Sequence, residues 1–277
     1  MNWFTRRASL RDKRALVRLC KAAVGSDDYV LDVLKDAILN DTILVALDYD
    51  GSIIGMMSYR HSIDGCGWLG MMRTHPDFRR RGVARALIIK ALSLANSSGA
   101  QSVRFWSDYD NAAANVVAKH SGFKMVGQFV RMNGTAIKGV TEAKSLVFKE
   151  NLWRLVEQSS IIKAGNGYLC HDWCFVPATR TVLFELHLKE TLRGWGKNLI
   201  SFFSEKDRFT KSLEVTLLAG KLGELLMESR FQARKLGCSR VSVFLPNNKD
   251  LIEIAKKNGF QIGHWGIIAI LYEISLK

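Results

Sequence analysis

The feature that most restricts the fold of this chain is a spacing that occurs twice. A helical run opening after Gly82 closes at Gly99, a strand-like run Ser102 to Trp106 follows, then a helical run Asn111 to His120, and the pair Gly122-Phe123 leads into another strand. Further on, Gly223 to Leu236 reads as a helix, Gly237 breaks it, Arg240 to Leu245 is strand-like, Lys249 to Lys257 helical, and Gly259-Phe260 enters a last strand. The steps from Arg85 to Gly99 to Gly122 are 14 and 23 residues; those from Gly223 to Gly237 to Gly259 are 14 and 22. Glycine at a helix end is physically apt because it takes the left-handed cap conformation at no steric cost. The recurrence predicts an internal duplication across the 277 residues, with domains 1–149 and 150–277 and a boundary near Glu150.

The segment before the first copy supplies the remaining elements. Phe4 to Arg7 reads as a short strand, and Ser9-Leu10-Arg11-Asp12 as a capping box that starts a helix running to about Val24. Val30, Val33, Leu34, Ala37 and Ile38 recur at helical spacing, and Asn40-Asp41 ends that helix. Ile43 to Leu47, Ile53 to Tyr59 and Trp68 to Thr74 form an antiparallel meander, with Tyr49-Asp50-Gly51-Ser52 as its first turn. The fold class is therefore α/β of the α+β kind: a mixed, mainly antiparallel central sheet flanked by helices.

Composition narrows the setting. The chain is 48% apolar and 24% charged with 3 prolines, which suits packed cores rather than disorder. No apolar run reaches membrane-helix length, and Met1-Asn2-Trp3-Phe4 has no signal-peptide core behind it, so a cytoplasmic protein without a membrane partner is expected. Five scattered cysteines fit buried thiols in a reducing compartment. Cys170-His171-Asp172-Trp173-Cys174 has no second ligand pair nearby and reads as β-structure, so no metal is expected. The net charge of +14 draws polyanions without choosing among a phosphate-rich cofactor, RNA and DNA.

The chemistry is concentrated after the third meander strand. That strand ends at Thr74, a turn carries Pro76, and Arg79-Arg80-Arg81-Gly82-Val83-Ala84 opens a helix. Unpaired N–H groups at a helix start face an anion, the helix dipole adds to their pull, and arginines supply charge. Gly82 lets the backbone approach the ligand, and Ala84 keeps the next turn low. Three adjacent arginines cannot all face one pyrophosphate.

The run Arg79 to Ala84 resembles the acetyl-CoA loop of the GNAT superfamily of N-acetyltransferases, whose pattern is Gln or Arg, two residues, Gly, one residue, then Gly or Ala. Met72-Arg73-Thr74-His75-Pro76 before it, and Asn111-Ala112-Ala113-Ala114 with Ser121-Gly122-Phe123 after it, fit the family spacing. The resemblance covers about Phe4 to Phe148 and continues weakly as a degenerate second GNAT-like copy. It implies acetyl-CoA as cofactor, held at Arg79, Arg80, Arg81, Gly82, Val83 and Ala84. Its pantetheine arm would lie along the backbone of Met72, Arg73 and Thr74, and Asn111 would meet the pantetheine end. It also implies a fourth and fifth strand splayed at a bulge, with a backbone N–H donating to the thioester oxygen.

Proton transfer is where the chain departs from the family. Ala118 stands where many relatives carry the tyrosine acid, and Trp68 where many carry the glutamate. Asp28, Asp64, Asp108 and Tyr109 are the substitute catalytic candidates; Asp27-Asp28 also reads as a helix cap and Asp64 as a hairpin-tip residue, and His120 reads as a helix-surface residue with a base role as the alternative. Tyr29, Trp68 and Trp106 are candidates for walls of the acceptor pocket, with core packing as the alternative for both tryptophans. The Asp28-Tyr29 segment, the Trp68-Leu69 strand and the Arg73-to-Ala84 run also resemble a branch that acetylates free amino acids, histidine included.

In the second copy the loop counterpart is Leu218-Ala219-Gly220-Lys221-Leu222-Gly223, which lacks the leading arginine and is expected to bind acetyl-CoA poorly. The preferred reading is an N-acetyltransferase whose partner is a small-molecule amine acceptor, such as an amino acid. Its rival is a catalytically weak acetyl-CoA-binding, nucleic-acid or ribosome-associated module on the same fold, which the charge favours. Against it, basic residues are spread along the chain and no RNA-binding aromatic signature is present. A homodimer is compatible with either reading.

Overall fold

Alternating apolar residues and turn glycines between Thr42 and Thr74 fold as three antiparallel strands, the centre of the first of two units. The computed structural model describes residues 3–40, 42–204, 212–263 and 268–276; Asp41, read above as part of a helix stop, lies outside them, as do Met1 and Asn2. Packing divides the chain into one unit of residues 1–105, 113–124 and 272–277 and another of residues 106–112 and 125–271. These units interleave in sequence, unlike halves cut near Glu150: residues 125–149 group with the second unit, and 272–277 with the first.

The first unit is built from β1 (Phe4–Arg7), α1 (Lys13–Ala23), α2 (Val30–Asn40), β2 (Thr42–Leu47), β3 (Ile53–His61), β4 (Gly67–Thr74), α3 (Val83–Ser97), the first part of β5 (Ser102–Asp108) and most of α4 (Ala112–His120). Its strands run in the order β1-β2-β3-β4-β5. The first four pair antiparallel, and β4 and β5, joined through α3, pair parallel. The capping box forms as read, with the Ser9 N–H donating to the Asp12 carboxylate at 2.8 Å. A short 3-10 turn, Leu10–Asp12, precedes α1.

Successive strand residues face opposite sides, and β3 shows what that does. Met56 joins a core with Leu16, Leu19, Val30, Leu34, Ile38, Ile43 and Val45 from α1, α2 and β2. Each such fully buried aliphatic chain contributes about 1.5–3 kcal/mol. Gly55 faces α3 instead: a Cβ there would lie 2.5 Å from Val83 Cγ1 and 3.3 Å from Leu87 Cδ1. The missing side chain therefore lets the first turn of α3 rest directly on the sheet and sets where the preceding loop emerges.

The second unit takes up β6 (Lys124–Thr135), β7 (Lys144–Ser145), α5 (Glu150–Gln158), α6 (Ser160–Ala164), β8 (Tyr168–His171), β9 (Cys174–Pro177), α7 (Arg180–Leu188), β10 (Leu192–Trp195), β11 (Asn198–Ser204), β12 (Ser212–Ala219), α8 (Leu222–Lys235), β13 (Arg240–Pro246), α9 (Lys249–Lys257) and β14 (Phe260–Ile262). β12 and β13 pair parallel through α8, as β4 and β5 do through α3, so the duplicated spacing corresponds to a repeated β-α-β unit. β13 lies antiparallel to β6, and β14 also pairs with β6. The Cys170–Cys174 segment is a β8–β9 hairpin whose turn residues Asp172 and Trp173 are both left-handed. Among the described residues no group of three or more His, Cys, Asp or Glu side chains is placed to hold a metal, and no helix is long and apolar enough to cross a membrane.

The last strand, β15 (Ala269–Ser275), is split: Ala269–Leu271 belongs to the second unit and Tyr272 onward to the first, where it follows β5 in strand order. There the Leu276 N–H donates to Gln101 O at 2.9 Å, and Tyr272 stacks on Phe105 with ring centroids 5.1 Å apart. The tyrosine hydroxyl donates to Asn115 Oδ1 on α4 at 3.0 Å.

Candidate active site

The start of α3 leaves its first-turn amides without a side-chain cap. Gly82 is its N-cap at φ 81°, and no acidic residue stands in that turn. Arg80 is also left-handed, at φ 61°, so the backbone turns sharply twice before the helix. All four residues from Arg79 to Gly82 are exposed. The three arginines divide their work: Arg79 Nη2 donates to Ala23 O at 2.8 Å, and the Arg81 guanidinium lies 5.5 Å from the centroid of Phe78. Trp3 Nε1 donates to Arg81 O at 2.7 Å and holds the loop from below. Arg80 has no hydrogen-bond or ion-pair partner among the described residues.

A groove lined by Arg85, Ile88, Ile89, Leu92, His120 and Ser121 opens on α3 beyond this loop. Sequence reasoning placed His120 on a helix surface, with a base role as the alternative, and did not assign Arg85. The helical period puts Arg85, Ile88, Ile89 and Leu92 on one face, and that was the available signal.

β4 carries the second half of the arrangement. Its register against β3 shifts between Met56 and Ser58, so Met71 and Met72 together oppose the single residue Met57. Met71 sits at φ 53°, the left-handed geometry of a bulge. On its other side, among the described residues, β4 pairs with β5 at Gly67–Val103 and Trp68–Arg104 and no further along. Beyond Trp68 the strands part, so the bulged segment from Met72 to Thr74 borders an open edge. These are the bulge and splay the resemblance implied.

Around that bulge the candidates sort by geometry. Asp28 is 3% exposed and its carboxylate takes Arg73 Nη2 at 2.6 Å, Arg73 Nε at 2.7 Å and the Val30 N–H at 3.1 Å. It is both the helix cap and an ion-pair partner, and so is already committed. Burial opposes the Arg73 charge most, but its hydrogen bonds to Asp28 together with the neighbouring Tyr29, Asp28 and Cys20 charges more than offset it and raise the guanidinium above its ordinary value. Tyr29 is partly buried with its ring 5.4 Å from that guanidinium. Trp68 is 5% exposed, and Ala118 is fully buried. Neither can carry a proton.

Asp64 closes its hairpin as read, accepting from Ser62 Oγ at 2.6 Å, and also pairs with Arg104 at 2.6 Å. Met72, Arg73 and Thr74 are each partly exposed along the open edge. The structure thus brings Asp28, Tyr29, Met72, Arg73, Thr74, Trp68 and the loop Arg79–Ala84 into one unit.

Trp106, Asp108, Tyr109 and Asn111 belong to the second unit. Trp106 is partly buried, 5.8 Å from Phe244, and donates to Trp173 O at 3.3 Å. Burial, and then neighbouring Asp110, push the Asp108 pKa up from its ordinary value. Tyr109 is 63% exposed at the end of β5.

The loop counterpart in the second unit is closed by its own side chains. Gly220 (φ 117°) packs against Asn198, the Lys221 N–H donates to Asn198 Oδ1 at 3.0 Å, and Asn198 Nδ2 donates to Glu224 at 2.7 Å. An amide donor is already used and a carboxylate stands in the first turn, which disfavours a phosphate there.

Cys20, beneath the bulge, is fully buried, with Sγ donating to Met56 Sδ at 3.6 Å. Burial first, and then the Asp28 charge, push its thiol up to about 11. Iodoacetamide at neutral pH is therefore expected to leave Cys20 unmodified in the native protein and to label it only on unfolding, as peptide mass mapping would show.

Comparison with known proteins agrees with this geometry. Residues 14–123 match the family model described as the acetyltransferase (GNAT) family. A mycothiol acetyltransferase of Mycolicibacterium vanbaalenii is 34% identical over 89 residues, 32% of this chain and 28% of that protein. One of Mycobacterium sp. (strain JLS) is 28% identical over 134 residues, 46% and 43% of the two chains. The chain thus spans less than half the length of these curated relatives. Among solved structures, a GCN5-related N-acetyltransferase from Sphaerobacter thermophilus superimposes with a TM-score of 0.63 over 99% of this chain and 96% of its own, at 14% identity. A GCN5-related glucosamine N-acetyltransferase region of a fungal multi-domain β-N-acetylglucosaminidase does so with a TM-score of 0.64 over 98% of this chain and 38% of its own, at 12% identity. The segment 14–123 is thus similar to the acetyltransferase (GNAT) family, and the chain as a whole has the fold of the GCN5-related N-acetyltransferase it superimposes on.

Proposed function

We propose that this protein is an acetyl-CoA-dependent N-acetyltransferase whose acceptor is the primary amine of a small molecule or amino acid, attacked directly and without an acyl-enzyme. The observation that carries the reading is the pairing, in one unit, of an uncapped, acid-free helix start at Gly82 with a strand bulge beside an open sheet edge at Met72–Thr74. These residues fit the cofactor: exposed amides and Arg80 suit a pyrophosphate, and an unpaired strand edge suits the amides of a pantetheine arm. When bound, acetyl-CoA supplies an activated acetyl thioester.

The chain's own residues then orient and polarise. Arg79 to Ala84 hold the phosphates, with Val83 buried to seat the helix start. The backbone of Met72, Arg73 and Thr74 grips the arm, and an N–H there stabilises negative charge on the acetyl oxygen. Asp108 and Tyr109 are the proposed proton carriers, Asn111 a proposed cofactor contact, and Tyr29, Trp68 and Trp106 proposed acceptor-pocket residues; these assignments rest on the resemblance. Asp28 is not carried forward as a base, because its carboxylate holds Arg73. The mycothiol acetyltransferase matches support a small, soluble acceptor. A cytoplasmic location and the domain assignment 1–149 for cofactor binding belong to the same proposal.

Calorimetric titration of acetyl-CoA into the whole protein tests it. Micromolar binding at one site per chain is expected, from the usual range of cofactor affinities. No heat, together with RNA binding that falls steeply with salt, would replace the enzyme reading with the nucleic-acid one.

A further inference from the structure

We infer that the buried Asp28–Arg73 pair is a positioning device that fixes the β4 bulge in the orientation acetyl transfer requires. The inference rests on the acetyl-CoA reading and adds to it residues whose side chains act through the backbone. Met71 is an ordinary side chain held at φ 53°, where only glycine is at ease, so the bulge persists only if its surroundings hold it. Arg73 does so from the adjacent position. Its Nη1 donates to Met72 O at 3.0 Å, while Nε and Nη2 form a fork onto Asp28 at 2.7 and 2.6 Å.

Asp28 is in turn fixed by the Val30 N–H at the start of α2, a helix held by buried Val30, Val33, Leu34, Ala37 and Ile38. A chain of directed bonds therefore runs from the packed helix through the carboxylate and guanidinium to the Met72 carbonyl. Because a peptide unit is planar, fixing that carbonyl fixes the plane it belongs to. The direction in which the bulge presents its amides is then set before any ligand arrives. Arginine is needed for this, since only its planar fork holds a carboxylate with two nitrogens and leaves a third for the carbonyl.

The test reads the thioester rather than an acceptor. Infrared spectra of [1-13C]acetyl-CoA bound to the protein would show the acetyl carbonyl band moved to lower frequency by the bulge amide. The variants are Arg73→Lys and the charge-neutral pair Asp28→Asn with Arg73→Gln. Both are expected to bind acetyl-CoA within about tenfold of wild type, because the loop at Gly82 carries most of the affinity. In both, the carbonyl band is expected to return toward its position in free acetyl-CoA.

Lysine keeps a charge partner for Asp28 and removes the fork and the Met72 contact, so it reports even where the double variant does not fold. A purely structural pair would lower the unfolding temperature and leave the bound band where wild type has it; that result overturns the inference while the cofactor reading stands. Failure of wild type to bind acetyl-CoA overturns both.

Discussion

Replacing Gly82 with aspartate is expected to weaken acetyl-CoA binding on the order of 100-fold while lowering the unfolding temperature only slightly. The two effects have different origins. At φ 81° Gly82 is left-handed, a region that Asp and Asn tolerate better than other residues, and a Cβ there would meet nothing within 4 Å. The side chain therefore has room, and the left-handed backbone costs it about 1 kcal/mol. An aspartate at this left-handed N-cap would bring its carboxylate up to the uncapped amides of α3, a contact that offsets part of that cost. The same contact occupies the donors a pyrophosphate needs and sets a carboxylate beside it. Like charges about 5 Å apart repel by about 3 kcal/mol at a protein surface. Gly82→Asn, similar in shape and neutral, separates the terms: it is expected to lose several-fold less affinity. Calorimetry paired with thermal melts checks both, and equal losses in the two variants would point to backbone strain instead of charge.

The second large effect concerns Arg104. Its guanidinium, 4% exposed, lies between Asp64 at 2.6 Å on the β3–β4 hairpin and Glu273 at 2.8 Å on β15, with Nη2 also reaching Cys66 Sγ at 3.6 Å. Burial opposes its charge, but its hydrogen bonds to Glu273 and Asp64, with the charges of those carboxylates, more than offset that and raise its pKa. Arg104→Ala leaves two shielded carboxylates facing the space it vacated. A loss of about 3–5 kcal/mol is expected, measurable by denaturant unfolding.

The pH dependence has a definite sign. Burial alone would raise the Asp64 pKa, yet hydrogen bonds from Ser62 and Arg104 leave it lowered. A depressed carboxylate stabilises the fold above its unfolded value, and the benefit fades as pH falls. The gap between wild type and Arg104→Ala should therefore narrow as the solution is acidified below about pH 4, and a constant gap would assign the loss to packing.

What could be read from the sequence was what lies close along it. The strand, turn, arginine run and helix from Trp68 to Ser97 announce their roles because capping and turn chemistry act over a few residues. The elements of the second copy were legible from periodicity and glycines in the same way. The Asp28–Arg73 pair spans 45 residues and Arg104–Glu273 spans 169, and no local pattern marks either. Asp28 read locally as a cap, which it is, and its other role needed β4 folded beside it. The Asn198 plug on the second loop escaped notice because the plugging residue is 23 positions away. The partition of β15 escaped too, since one apolar run, Ala269 to Leu276, looks alike whichever unit each part joins.

That partition governs the order in which the chain can fold. During synthesis β5 emerges more than 160 residues before the segment Tyr272–Leu276 that lies beside it in the first unit. Until then the nascent unit holds an unpaired strand edge, lacks the Glu273 carboxylate that pairs with Arg104 alongside Asp64, and cannot complete its sheet however long the ribosome pauses. Strand closure across so long a loop makes folding slow and late, so the first unit to begin is among the last parts to finish.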